Sequence, residues 1–249
     1  MPVPLADVWA AMPTWGWVVL GVTAFTIGFS KTAVNGLGTL CIAVLAMLMP
    51  ARESTGVALL LLLVGDIVAV IVYRKNVEWK LLANLILPVL LGLGLGTAFL
   101  SFVDDLVLKR TIGVVLLVLL LIGLLPVKVN ASGLPMKLTY GSLAGFTTMV
   151  ANAGGPAMNL YLLASKFDKW RFIATTSWFF FAVNVTKVPF QIAQGIIVPD
   201  TARLAATLAA LVLLGCWIGR LTIDHINQHL FDTLVIILTA ISALYLIFG

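Results

Sequence analysis

The sequence predicts an all-α polytopic membrane protein made of two inverted repeats, each a broken helix or helix hairpin followed by three transmembrane helices. Three observations predict it. Apolar residues make up 61% of the 249 and charged residues only 10%, a balance typical of chains that fold in lipid. The apolar residues gather in runs of about 20, the length at which a helix crosses a ~30 Å hydrocarbon core. The chain also repeats itself. Gly28-Phe29-Ser30 and Gly145-Phe146-Thr147 lie 117 residues apart, and at the same offset Asn35 pairs with Asn152, Gly38 with Gly155 and Arg52 with Lys169.

Strand-type spans would alternate apolar and polar residues, and the unbroken run from Val114 to Leu125 does not. The first copy holds four apolar pieces, at 15–49, 54–73, 79–101 and 106–125. The second holds pieces at 137–165, 170–193, 202–221 and 230–248. Late in each copy, Gly92 and Gly96 match Gly215 and Gly219 at an offset of 123. Several ordered matches of this kind mark a duplication. The predicted division is residues 1–125 as first repeat, 126–137 as a turn-rich linker and 138–249 as second repeat.

The opening piece of each copy is too long for one ordinary span and breaks near its middle, at SKTAVNGLG (30–38) and TTMVANAGG (147–155). Each break makes either one discontinuous span or a hairpin that enters and returns. Basic residues weigh the two. With hairpins, one side of the membrane holds Arg74, Lys75, Lys80, Lys128, Lys137, Lys166, Lys169, Arg171 and Arg220, and the other holds only Arg52, Lys109, Arg110 and Arg203. With spans, the charges divide nearly evenly. The hairpin arrangement obeys the positive-inside rule better, and it leaves three true spans per copy, so the copies are inverted.

Other features narrow the class. The opening MPVPLADVW has no basic region, so no cleavable signal peptide is expected. Cys41 and Cys216 both lie in apolar runs and are expected as buried thiols. With no P-loop, an ATP-driven pump is disfavoured, and nucleic-acid binding with it. No cofactor or metal is expected: His225 and His229 stand four apart, but their segment reads as a solvated loop. An intramembrane enzyme would need a nucleophile and base, or a metal set, at depth, and none is evident. A non-transporting scaffold would explain the spans but not two matched breaks. Trp15, Trp17 and Trp79 fall near span ends, where interface anchors belong. The glycine pairs read as sites of close helix packing.

Backbone that leaves a helix inside a bilayer exposes unpaired N–H and C=O groups, each costing several kcal/mol against lipid. Such breaks persist where they are buried in protein or line a wet cavity. Asn152-Ala153-Gly154-Gly155-Pro156 reads as a helix start, with proline at the first helical position. Asn35-Gly36-Leu37-Gly38 reads the same way without proline. A helix start carries free N–H groups and partial positive charge. Two inverted copies would aim two of them at one midplane point, the arrangement of a transporter's anion site. Asn35, Gly36, Gly38, Asn152, Gly154 and Gly155 are therefore candidate substrate-binding residues.

The repeated G-F-x-x-x-x-x-N-x-x-G pattern, the segment Ala151–Asn159 and the duplicated arrangement resemble the TauE/SafE sulfite exporter family of membrane permeases. The resemblance covers nearly the whole chain, and NAGGPAMNLYLL is its most specific part. It implies secondary transport of small sulfur-containing anions (sulfite, sulfoacetate or related organosulfonates) by alternating access across the cytoplasmic (inner) membrane. An ion gradient, a proton gradient being the first choice, would drive it. The partners expected are a small anion, a coupling ion and the lipid bilayer; a homodimer is left open. The alternatives are an anion channel, or a transporter of non-sulfur carboxylates.

Ionisable groups lie at depth at Lys31, Asp66 and Lys187, where they are costly and mark functional sites, with amides beside them. Lys31 sits in the first break and would add positive charge there. Asp66 is the only acid deep in a span and is a candidate proton carrier or a partner for Lys31 or Lys187. Asn184, Lys187 and Gln191 share one helix face at i, i+3, i+7 spacing. Asn184 stands 118 residues after Asp66, so the two are candidate repeat equivalents. Asn159, one turn past the second break, with Thr147 and Thr148 before it, would extend the site. The aromatic run Trp178–Phe181 is expected to be core or lipid-facing.

Overall fold

The computed structural model describes residues 12–33, 37–124, 134–164 and 169–222, with Trp9 and part of 236–248. Among them every regular element is a helix. In chain order these are α1 (Thr14–Thr32), α2 (Leu37–Leu48), α3 (Ala51–Val72), α4 (Trp79–Phe102), α5 (Asp105–Leu124), α6 (Leu134–Ala151), α7 (Gly155–Ala164), α8 (Lys169–Ala193) and α9 (Pro199–Thr222). Both opening pieces break where the glycines and asparagines predict. Helix α6 starts at Leu134, inside the segment expected as linker. Three helices among the described residues, α3, α4 and α9, are long and apolar enough to cross a membrane. The outward surface is apolar, with Val18, Val22, Ile71, Leu87, Leu95 and Phe102 all more than half exposed. The interior holds Asp66, Asn184, Lys187 and Gln191. That inversion of the soluble pattern is what a hydrocarbon solvent selects.

The glycines report how the two copies meet. A Cβ on Gly28 would strike the carbonyl of Val212, and one on its equivalent, Gly145, would strike the carbonyl of Val89. A Cβ on Gly215 would strike the carbonyl of Phe25, and one on Gly92 the carbonyl of Ser142. Val89 and Val212 are 123 apart, Phe25 and Ser142 117 apart. The contacts thus obey both repeat offsets. Helix α1 of the first copy lies backbone-to-backbone on α9 of the second, and α6 of the second lies on α4 of the first. Without side chains at these glycines, the helices approach closely enough for dispersion contacts to add up in lipid. Gly215→Val should therefore cost more than the ~1–3 kcal/mol of ordinary overpacking. The expected result is loss of the monodisperse peak in fluorescence-detected size exclusion, with Leu214→Val, at a lipid-facing neighbour, unaffected.

Helix directions follow from which residues touch. Phe25 meets Gly215 and Thr32 meets Gly219, so α1 and α9 run the same way. Gly56 meets Ile196 and Gly65 meets Val212, so α3 runs with α9, and hence with α1. Helix α2 joins α1 to α3 and must return: the first break is a hairpin. Likewise α4 runs with α6 (Pro88 on Gly141, Met149 on Gly96). It also runs with α8, through Glu78 on Thr175 and Thr97 on Gln194. So α7 returns as well. Helices α3 and α8 run oppositely, since Asp66 meets Asn184 while Glu78 meets Thr175.

Candidate functional site

The site is a string of buried polar side chains along the α3–α8 seam, flanked by the hairpin tips. Lys31, in the last turn of α1, forms an ion pair with Oδ1 of Asp66 on α3. Its ammonium also lies 5.4 Å from the Phe180 ring centroid, within cation–π range. The second carboxylate oxygen of Asp66 accepts a 2.7 Å hydrogen bond from Asn184 Nδ2 on α8. Asp66 and Asn184, candidate repeat equivalents 118 residues apart, are brought into direct contact. Asp66 is 1% exposed and Asn184 2%.

One turn further along α8, Lys187 is completely buried. Its ammonium donates to the Thr148 carbonyl at 2.6 Å, to Thr148 Oγ1 at 3.3 Å and to Asn152 Oδ1. Thr148 is the repeat equivalent of Lys31, at an offset of 117. Both hairpins therefore carry an ammonium at the end of the entering arm: the first supplies its own, and the second receives one from α8. The Asn152 amide donates in turn to the Thr55 carbonyl at 3.0 Å, tying the second tip to the start of α3.

Asn152 sits in the left-handed region, with φ 48, a conformation asparagine tolerates better than most residues. The Ala153 N–H folds back on the Thr147 carbonyl at 3.2 Å. Asn152 thus ends α6 rather than beginning α7, and α7 starts at Gly155 with Pro156 as its second residue. Past each tip the space opens. A Cβ on Gly38 or on Gly155, equivalent positions in the first turns of α2 and α7, would meet nothing within 4 Å. Gly154 differs: its Cβ would meet the Ala144 carbonyl at 2.8 Å and Thr148 Cβ at 2.9 Å, so it serves the tight tip itself.

Of the residues singled out from sequence, the structure gathers Lys31, Asp66, Asn152, Asn184 and Lys187 into one network. Gln191 lies a turn beyond Lys187, fully buried. Neither atom of its amide has a partner among the described residues, and Asn184 Oδ1 also lacks one. Asn35 and Gly36, like His225 and His229, lie outside the described residues. Asn159 is placed on α7 without a described side chain. Sequence reading missed Thr55 and Phe180. Thr55 offers only its carbonyl, which any residue would supply. Phe180 stood in a run expected to be core or lipid-facing. Cys41 and Cys216 are free and buried, and no His, Cys, Asp or Glu group among the described residues is arranged for a metal.

Among the ionisable groups of this network two are basic, the partly exposed Lys31 and the buried Lys187, and one is acidic, the buried Asp66. Lys31 and Asp66 compensate each other, while the neighbours that Lys187 donates to are all neutral. A buried ammonium without a carboxylate of its own, beside helix starts and open space, can chemically accommodate an anion. The comparison with curated proteins and the comparison with solved structures each gave no match. The family model described as sulfite exporter TauE/SafE matches residues 20–246. That match spans both hairpins and every residue of the polar network, and the chain belongs to the TauE/SafE family of multi-pass membrane transporters.

Proposed function

We propose that the protein is a secondary transporter of small sulfur-containing anions, of the sulfite, sulfoacetate and organosulfonate class, working by alternating access. The observation that carries this reading is Lys187: a fully buried ammonium with no carboxylate of its own. An isolated buried charge is costly, and a small anion between the hairpin tips offsets that cost while bound. Lys31, Asn35, Gly36, Gly38, Asn152, Gly154, Gly155, Asn159, Asn184, Lys187 and Gln191 remain the proposed substrate-binding set. The amide of Gln191 and Oδ1 of Asn184, without partners among the described residues, suit the donor and acceptor needs of a hydrated oxyanion or its organic tail. Asp66 is the proposed proton carrier: protonating it would free Lys31 for the anion.

The helix directions support an inverted-repeat topology in the cytoplasmic membrane. The ends of α3, α5, α7 and α9 then share one face with the starts of α4, α6 and α8. That face carries Arg74, Lys75, Lys80, Lys137, Arg171 and Arg220, against Arg52, Lys109, Arg110 and Arg203 opposite, a bias that supports the first face as the cytoplasmic one. Solute counterflow in proteoliposomes tests the function, with sulfite, sulfate, thiosulfate, sulfoacetate, taurine and carboxylate controls. Trans-stimulated uptake of a sulfur oxyanion is the expected result. Flux without trans-stimulation would make the protein a channel, and stimulation by carboxylates alone would overturn the substrate class.

A further inference from the structure

Helices α4 and α8 run side by side but touch mainly at their ends. At one end Trp79 packs edge-on against Trp178 at 5.0 Å, and the Glu78 N–H donates to Thr175 Oγ1 at 3.1 Å. At the other, Gln194 Nε2 donates to the Thr97 carbonyl at 2.6 Å and to Ser101 Oγ at 3.1 Å. Between these clasps lies a gap of about 410 Å³ lined by Leu85, Ile86, Val89, Leu93 and Val183 among others. Among the described residues the one hydroxyl lining it, on Thr186, is turned back onto the Ala182 carbonyl at 2.8 Å. The gap opens outward, where Ile86 is 58% and Trp79 57% exposed.

The duplication shows that this gap is not imposed by the fold. The equivalent seam, between α9 and α3, is closed. There Gly65 packs against Val212, with a Cβ on Gly65 coming within 3.8 Å of Val212 Cγ1 and within 2.8 Å of Lys31 Cγ. At the open seam the residues at those positions are Val183 and Val89, and both line the gap. One copy fills its seam with protein; the other leaves an apolar slot of small-ligand size, since such sites run ~300–1,000 Å³.

We propose that this slot is a lipid site, holding one acyl chain of an anionic phospholipid. From Trp79 to Leu93 the slot follows α4 for about 21 Å at 1.5 Å per residue. That exceeds half of the ~30 Å hydrocarbon core, so a chain from one leaflet fits along it. Headgroup charge is matched at the Trp79 end. Lys80 is exposed beside Trp79, and Arg74 and Lys75 are exposed in the preceding turn. The nearby Glu78 is paired with Arg171 at 2.6 Å. Exposed basic residues at the membrane surface attract anionic headgroups.

The test is photo-crosslinking in nanodiscs, using phosphatidylglycerol or phosphatidylcholine with a diazirine on the acyl chain, read by peptide mass spectrometry. The expected result is labelling of Val89 and Val183 at least fivefold above lipid-facing Leu95 and Leu213, stronger with phosphatidylglycerol. Ala182→Phe, checked for monodispersity, removes that labelling. Lys80→Glu, at an exposed position that leaves the fold intact, lowers the preference for the anionic lipid at least threefold. Uniform labelling over all outward positions overturns the proposal. So does efficient disulfide bonding between two Ile86→Cys copies with no labelling in the slot, which would assign the seam to a dimer.

Discussion

Replacing Lys187 with methionine should reduce anion uptake by roughly 10- to 150-fold while leaving the folded protein as stable as before, or more so. The rate term comes from removing one charge-assisted contact to the substrate, about 1.5–3 kcal/mol, at 1.4 kcal/mol per tenfold. The stability term has the opposite sign because Lys187 is fully buried and its acceptors are neutral. Replacing an uncompensated buried charge by an apolar chain of similar length is often neutral or stabilising. Thr148 loses little, since its carbonyl keeps the Asn152 N–H at 3.0 Å. Uptake in proteoliposomes and a thermal melt, on one preparation, read the two terms separately. Wild-type uptake in Lys187→Met would remove this residue from the site, and a large fall in melting temperature would make it a structural one.

The second large effect is at Asp66. Asp66→Asn leaves Lys31 beside Lys187 without a counter-charge, and breaking a buried pair costs about 3–5 kcal/mol. Lys31 keeps 15% exposure and its contact with Phe180, which places the loss near the lower figure, about 3 kcal/mol. Adding Lys31→Met should recover most of that loss, because the orphaned ammonium, not the missing carboxylate, is the costly group. Thermal unfolding of the single and double variants forms the cycle. A double variant no more stable than Asp66→Asn alone would show that the pair is not what Asp66 contributes.

Much of this was legible in the sequence because it depends on composition and local pattern. The spans, the duplication and the two breaks all follow from apolar run length and from glycine and asparagine at matched offsets. Asp66, Asn184, Lys187 and Gln191 could be picked out because polar groups in hydrocarbon are rare. What touches what was not legible. Asp66 had two lysines as possible partners, and only the packing of α1 beside α3 puts Lys31 against it. Thr148 and Asn152 reach Lys187 across 39 and 35 residues, a distance no periodicity encodes. Asn152 seemed part of a helix start, yet its positive φ makes it an ending, a backbone property that the letters ANAGG leave open. The slot between α4 and α8 has no sequence signature, because the valines lining it are the residues that a closed core would use.

The exchange of arms between copies changes what can move. Each entering arm is packed along its glycines against a helix of the other copy, α1 on α9 and α6 on α4, so neither repeat is a separable piece of machinery. The natural blocks are mixed: one holds α1, α2, α3 and α9, the other α4 and α6, and α8, whose main packing is on α3, lies between them. The two are stitched across the middle by Asp66 on Asn184 and by Thr55 on Asn152, the amides proposed to meet the anion. Under that proposal, a passenger taking those amides for itself would loosen the stitch, and occupancy and release of the joint would become a single event.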